Sequence, residues 1–215
     1  MSTDARGSRN ARTDLYTRLL FPRACDLVMR LPIATRYRRR VIPRATGRVL
    51  EIGMGSGLNL PFYGPHVAHV FGLEPSPALH RIASRRARLA PFPVDVLEAA
   101  AEAIPLEDAS VDTVVSTWTL CTVADPARAL SEMRRVLKPG GRLVFVEHGL
   151  APDPTVRRWQ HGLNRVWQRV AGGCHLNRKV DEMIAAAGWN LGAVDTDYAG
   201  WPRTLSFMYC GEAGR

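Results

Sequence analysis

The stretch Arg48–Leu60, RVLEIGMGSGLNL, constrains the chain more than any other. Val49, Leu50 and Ile52 make a short apolar run, and Gly53, Gly55 and Gly57 follow at every second position, which predicts a buried strand entering a tight turn. Glycine suits such a turn because positive φ costs little without a Cβ and because a ligand can lie against bare backbone. Leu58–Tyr63 is expected to open a helix whose free N–H groups face the same ligand. The spacing is E-x-G-x-G-x-G rather than the G-x-G-x-x-G that packs a pyrophosphate onto a helix, so the ligand need not carry phosphates. Glu51 would repel a phosphate and suits an ammonium or sulfonium group. The next apolar run, His69–Leu73, ends in Glu74, where a carboxylate can accept both hydroxyls of a ribose. A nucleoside with a positively charged tail fits both ends.

Together with the blocks Ile104–Val115 (IPLEDASVDTVV) and Arg135–Leu143 (RVLKPGGRL), this constellation resembles class I S-adenosylmethionine-dependent methyltransferases from about Tyr37 to Cys210. The resemblance implies an α/β, Rossmann-like fold: a seven-stranded, mostly parallel sheet of order 3-2-1-4-5-7-6 with one antiparallel strand, helices on both faces and an N-terminal helical cap. It implies S-adenosyl-L-methionine as cofactor and S-adenosyl-L-homocysteine as product. The cofactor residues it implies are Glu51, Gly53, Met54, Gly55, Gly57, Asn59, Glu74, Pro75 and Ser76, with Ala101 and Glu102 at the adenine and Ser116, Thr117 and Leu120 at the fourth strand. One block departs from the family. Ala99-Ala100-Ala101-Glu102 stands where Gly-Asp-Ala-Glu is usual, so Ala100 removes a carboxylate that often holds the adenine amino group.

At 215 residues a single α/β domain over 13–215 is the natural reading, preceded by a polar, basic and disordered start at 1–12. Residues 13–43 carry leucines and valines at near-helical spacing broken by Pro22 and Pro32, which predicts short helices forming a cap or lid, with Tyr16 as a lid contact. Further helices are expected over Pro77–Leu89, Ala127–Leu137, Thr155–Val170 and Val180–Ala187. In Thr155–Val170 the set Trp159, Leu163, Val166, Trp167 and Val170 is expected to lie across the sheet. No apolar run approaches the ~18 residues that span a bilayer and the N-terminus lacks an apolar signal core, so a soluble, cytoplasmic protein is expected. The 29 Lys+Arg against 20 Asp+Glu give a net +9, carried almost wholly by arginine. Such a charge could steer the chain to nucleic acid or, through Arg36–Arg40, to an anionic membrane; GC-rich coding produces the same composition. No RNA-binding module or Asn/Asp-Pro-Pro-Tyr follows the fourth strand, which argues against base methylation.

Within the class, Gly57-Leu58-Asn59 with Tyr63, Leu73–Pro77, Leu120–Val123, Glu147-His148, Trp159-Gln160 and Gly173–Arg178 look like the alkyl-thiol S-methyltransferases and their bacterial relatives. A small thiol is therefore the expected acceptor. The alternatives are a phospholipid or small amine, a nucleic acid, or a non-catalytic adenosylmethionine-binding role. His148 and His175 are the residues that could assist a thiolate, each as readily held by a structural hydrogen bond. The expected acceptor pocket comprises Tyr16, Trp118, Cys121, Trp159 and Cys174. Cys25, Cys121, Cys174 and Cys210 fall singly, so neither a disulfide framework nor a metal site is expected.

Overall fold

The computed structural model describes residues 20–215. The expectations for residues 1–12, for the cap's opening at 13–19 and for Tyr16 lie outside the described residues. The described chain opens with α1 (Phe21–Val28) and α2 (Pro32–Val41), each with a proline in its first two positions, where the missing N–H has no helical partner to lose. Seven strands follow: β1 (Gly47–Ile52), β2 (Val67–Leu73), β3 (Val94–Leu97), β4 (Val111–Thr117), β5 (Leu137–His148), β6 (Asn190–Tyr198) and β7 (Phe207–Gly214). Their order is β3-β2-β1-β4-β5-β7-β6, and β7 alone runs antiparallel to its neighbours, as the resemblance implied. The order reverses between β1 and β4, and the crevice outside their carboxyl ends is where such sheets bind ligands.

Both faces of β1 are covered, so Val49, Leu50, Glu51 and Ile52 are all fully buried and the strand reads as a continuous run rather than an alternation. On one face Leu50, Ile52 and Val114 pack with Leu130 and Met133 of α4 (Pro126–Val136) and Ile184 of α6 (Val180–Ala186). On the other, Val49, Val70 and Val115 meet Ala83 of α3 (Pro77–Ala87) together with Met54, Leu60 and Tyr63. Tyr37 and Val41 of α2 pack on Val144, Val146 and Met208, which seats the cap on β5 and β7. Ser76 and Asp125 cap α3 and α4 by accepting from Leu79 N and Arg128 N at 3.5 and 3.0 Å.

Three expectations are corrected. The helix expected from Leu58 is a single 3-10 turn, Leu60–Phe62, because Pro61 removes a donor and because Asn59 and Tyr63 are both drawn inward onto Glu51. The helix expected over Ala127–Leu137 stops at Val136, because β5 begins at Leu137 and holds Pro139-Gly140-Gly141 inside it as a bulge, where the register with β4 shifts between Val111 and Thr113. The third concerns α5 (Pro154–Val170). It occupies the expected range, yet Trp159, Leu163 and Val166 are 60%, 40% and 58% exposed while Val156 and Gln160 are buried. Gln160 decides the orientation: its amide donates to Gly149 O at 3.0 Å and accepts from Ala151 N at 2.9 Å, so a polar anchor faces the protein.

Candidate functional site

The turn after β1 is held in left-handed conformation, with φ of 61° at Gly53 and 60° at Gly55. Packing requires glycine at Gly53, where a Cβ would lie 2.4 Å from Thr119 Oγ1. Gly55 differs, since a Cβ there would meet nothing nearer than Gly53 O at 3.9 Å and would instead project into open space. Glu74, at the end of β2, accepts from Gly55 N through Oε2 and from Ser76 N through Oε1, both at 2.8 Å. Burial pushes its carboxyl pKa up against the opposing pull of those two N–H groups. Each oxygen keeps a lone pair for a further donor.

Glu74, Pro75, Ser76, Ala101 and Glu102 line a cavity of about 600 Å³ that Phe21 of α1 and Gly172 beyond α5 also line. Across Gly53, Gly55 and Trp118 a smaller cavity of about 110 Å³ continues it, lined by Met54, Asn59, Thr117, Asp26 and Arg38. Of the expected cofactor residues, those two groups and the glycines Gly53 and Gly55 are brought together. Gly57, Ser116, Leu120 and Glu51 line neither cavity. Ser116 is fully buried and donates to Glu147 Oε1 at 2.8 Å; Leu120 is core. Glu102 reaches the rim, but its Oε1 accepts from Ala124 N and Asp125 N, so its carboxylate is spent on that loop.

Glu51 sits one layer behind. Its oxygens accept from Asn59 Nδ2 at 2.8 Å and Tyr63 OH at 2.7 Å, and Asn59 Oδ1 in turn accepts from Arg38 Nε at 2.8 Å. Glu51 thus holds Asn59 and, through it, Arg38, and does not itself line either cavity. Burial raises its pKa from 4.5 to about 7, and burial does the same to Glu147. Native protons are therefore retained where the unfolded chain has lost them, so the stabilisation is complete below pH 4.5 and lost as pH rises through 7. On the order of 3 kcal/mol per carboxyl is at stake. Thermal melts of the ligand-free protein should fall between pH 5 and 8, and Glu51→Gln should flatten that slope; a rising melting temperature over this range would contradict it.

Sequence reasoning missed four side chains, all acting across long separations. Asp26 of α1 accepts from Ser56 Oγ at 2.5 Å and from Arg86 Nη1 at 2.8 Å, latching the cap onto the glycine turn. Although burial opposes it, hydrogen bonds from Arg86, Ser56 and Arg30 hold Asp26 at about 2. Arg38, nearly buried, also donates to Met29 O at 2.6 Å and lies 5.2 Å from the Trp118 ring. Glu147 accepts from Thr119 N at 3.0 Å and fixes the turn in which Trp118 takes a φ of 52°. Arg178 donates to Leu120 O and Val123 O at 2.6 and 2.8 Å.

The expected catalytic histidines lie outside the cavities. His175 donates from its backbone to Cys121 O at 2.8 Å, and its Nδ1 contacts the same carbonyl at 3.1 Å. With Arg178, it clamps the Trp118–Val123 loop, so two motifs far apart in sequence are one structural unit. His148 is buried, with Nδ1 4.0 Å from Cys174 Sγ. Donation from Cys121 and the neighbouring His148 lower the Cys174 thiol pKa, while Cys121 is pushed up. Neither sulfur lines either of these two cavities, and neither does Trp159; of the expected acceptor residues described, Trp118 lines both. Arginines 36 and 40 pair with Asp197 and Asp195 on β6 and Arg38 is turned inward, which removes Arg36–Arg40 as a continuous basic surface.

Sheet order and the glycine turn give a Rossmann-like fold of the kind found in solved structures described as SAM-dependent methyltransferases. Residues 50–145 match the family described as methyltransferase domain. The chain is 35% identical over 143 residues to the rat thiol S-methyltransferase TMT1B, covering 65% of this chain and 58% of that protein. It is 39% identical over 104 residues to a phosphatidylethanolamine N-methyltransferase of Cereibacter sphaeroides, covering 47% and 51%. It thus spans under two thirds of these relatives' lengths. A Thermotoga maritima structure described as a SAM-dependent methyltransferase, possible histamine N-methyltransferase, superposes with a TM-score of 0.65 at 23% identity, covering 91% of this chain and 98% of that one.

Proposed function

We propose that this chain methylates a small apolar thiol with S-adenosylmethionine, as a single domain whose residues 13–43 act as a lid. The observation that carries the cofactor half is the open space at Gly55 beside Glu74. Glu74 would accept the two ribose hydroxyls with its remaining lone pairs, and the bare Gly55 backbone would let the nucleoside approach. In the smaller cavity Arg38, already oriented by Asn59 and Met29, would take the methionyl carboxylate. The cofactor supplies a methyl group already activated on a sulfonium.

Because no histidine lines the cavities among the described residues, orientation and exclusion of water are left to supply the rate. The acceptor's own ionisation then sets the pH dependence, with turnover rising as pH approaches the thiol's pKa. His148→Gln should keep that ascending limb; its disappearance would show that His148 generates the thiolate. The latch gives a second handle. Asp26→Ala should speed cofactor release several-fold, and unchanged release would mean that the cap does not gate the site.

Likeness to the rat thiol S-methyltransferase supports the thiol, and likeness to the bacterial phosphatidylethanolamine N-methyltransferase supports an amine as the second reading. A side-by-side assay of a short alkyl thiol and a phosphatidylethanolamine vesicle separates them. The thiol should turn over. Turnover on the vesicle alone would reject the thiol and leave the cofactor assignment standing.

A further inference from the structure

The outward side of α5 is built the wrong way round for a soluble surface helix. Such helices bury their apolar stripe and expose their polar one. Here Gln160 and Asn164 face the protein, Asn164 Oδ1 accepting from Leu176 N at 2.9 Å, while Trp159, Leu163 and Val166 stand exposed. At about 100° per residue these three fall within roughly 60° of one another, and Arg158, Arg165 and Arg169 form an adjoining row. All three arginines are exposed and take part in no ion pair among the described residues, and α5 carries no acidic residue. The helix runs to the cavity: Gln168 and Arg169 at its end, with Ala171–Gly173, form part of the rim. Near that rim, to which α1 contributes Phe21 and Cys25, Leu27 and Val28 of α1 and Leu31 just before α2 are exposed.

We propose that α5 is a docking surface for an anionic lipid bilayer, lying in the interface with its apolar stripe among the acyl chains and its arginine row on the phosphates. An amphipathic helix with Trp and Leu on one side and arginine on the other has the composition that such binding demands, and the unpaired positive row supplies the charge complementarity. Docking in this way brings the cavity rim to the membrane, where an apolar acceptor concentrates. The proposal does not depend on methyl transfer.

Co-sedimentation of the full chain with phosphatidylcholine vesicles, alone and with about 30% phosphatidylglycerol, tests it. Binding is expected on the anionic vesicles and is expected to weaken with salt, since exposed charges are screened within a Debye length of about 10 Å at 0.1 M. Trp159→Ser with Leu163→Ser should lower partitioning at least tenfold without changing the melting temperature or adenosylmethionine affinity. Arg158→Gln with Arg165→Gln should remove most of the salt dependence. Absence of binding to anionic vesicles would overturn the proposal, as would binding that survives the Trp159/Leu163 substitutions. So would binding that appears only after removal of residues 1–19, which would make that segment the natural cover of α5. A dimer in the absence of lipid that the same double substitution dissociates would likewise overturn it, in favour of a second copy.

Discussion

Gly55→Val should abolish adenosylmethionine binding while the protein still folds. The φ of 60° at Gly55 lies in the left-handed region, which costs an L residue about 1–2 kcal/mol and a β-branched one the upper end of that range. That cost is well below the roughly 5–15 kcal/mol by which domains are stable, so the variant should remain folded. Its branched side chain has no packing to retreat into, because a Cβ at Gly55 has no neighbour nearer than 3.9 Å and Gly55 itself lines both cavities. Affinity should fall by at least about a hundredfold, the equivalent of roughly 3 kcal/mol. Gly55→Ala carries less backbone strain and two fewer carbons and should lose less. Equal affinity in the valine variant and the unaltered protein would place the cofactor elsewhere.

The second large effect falls on Glu74. Truncation to alanine removes the acceptor proposed for both ribose hydroxyls and also frees Gly55 N and Ser76 N, each now held at 2.8 Å. Loss of two charge-assisted hydrogen bonds amounts to about 2–4 kcal/mol, or about 30- to 1,000-fold in affinity. Glu74→Gln keeps the shape and one carbonyl acceptor, so it should fall between the two. Calorimetric titration with adenosylmethionine and adenosylhomocysteine reads both variants. The two ligands should suffer alike, since they share the ribose. A loss confined to one of them would contradict the ribose assignment.

The parts of this molecule that sequence spacing revealed are those set by local chemistry. Gly53 and Gly55 mark the turn because only glycine tolerates its backbone there, and the apolar run ending in Glu74 marks the next strand. Sheet order came through resemblance rather than from periodicity. What stayed hidden depends on partners remote in the chain. Asp26 reads as an ordinary helix residue until Ser56 and Arg86 are brought to it. Glu51 reads as a ligand group until Asn59 and Tyr63 are seen to donate to it from a position behind the cavity lining. The apolar spacing of α5 is plain, but its direction is set by Gln160 bonding to Gly149 and Ala151, and no helical pattern encodes which way such an anchor turns the stripe. The histidines came from the blocks Glu147-His148 and Gly173–Arg178 that carry the narrower resemblance. Their actual partners, Cys121 O for His175 and Cys174 for His148, sit outside the cavity lining.

The most direct measurement follows the methyl group itself. Adenosylmethionine labelled in its methyl carbon is incubated with the protein and a short alkyl thiol, and the thioether and adenosylhomocysteine are quantified together. Label should appear in the thioether in equal amount to the adenosylhomocysteine formed, at a rate that climbs with pH through the thiol's pKa, and both products should vanish with Gly55→Val. Tight cofactor binding with the label remaining in adenosylmethionine across thiols, amines and phenols would contradict methyl transfer and leave a cofactor-binding protein in its place.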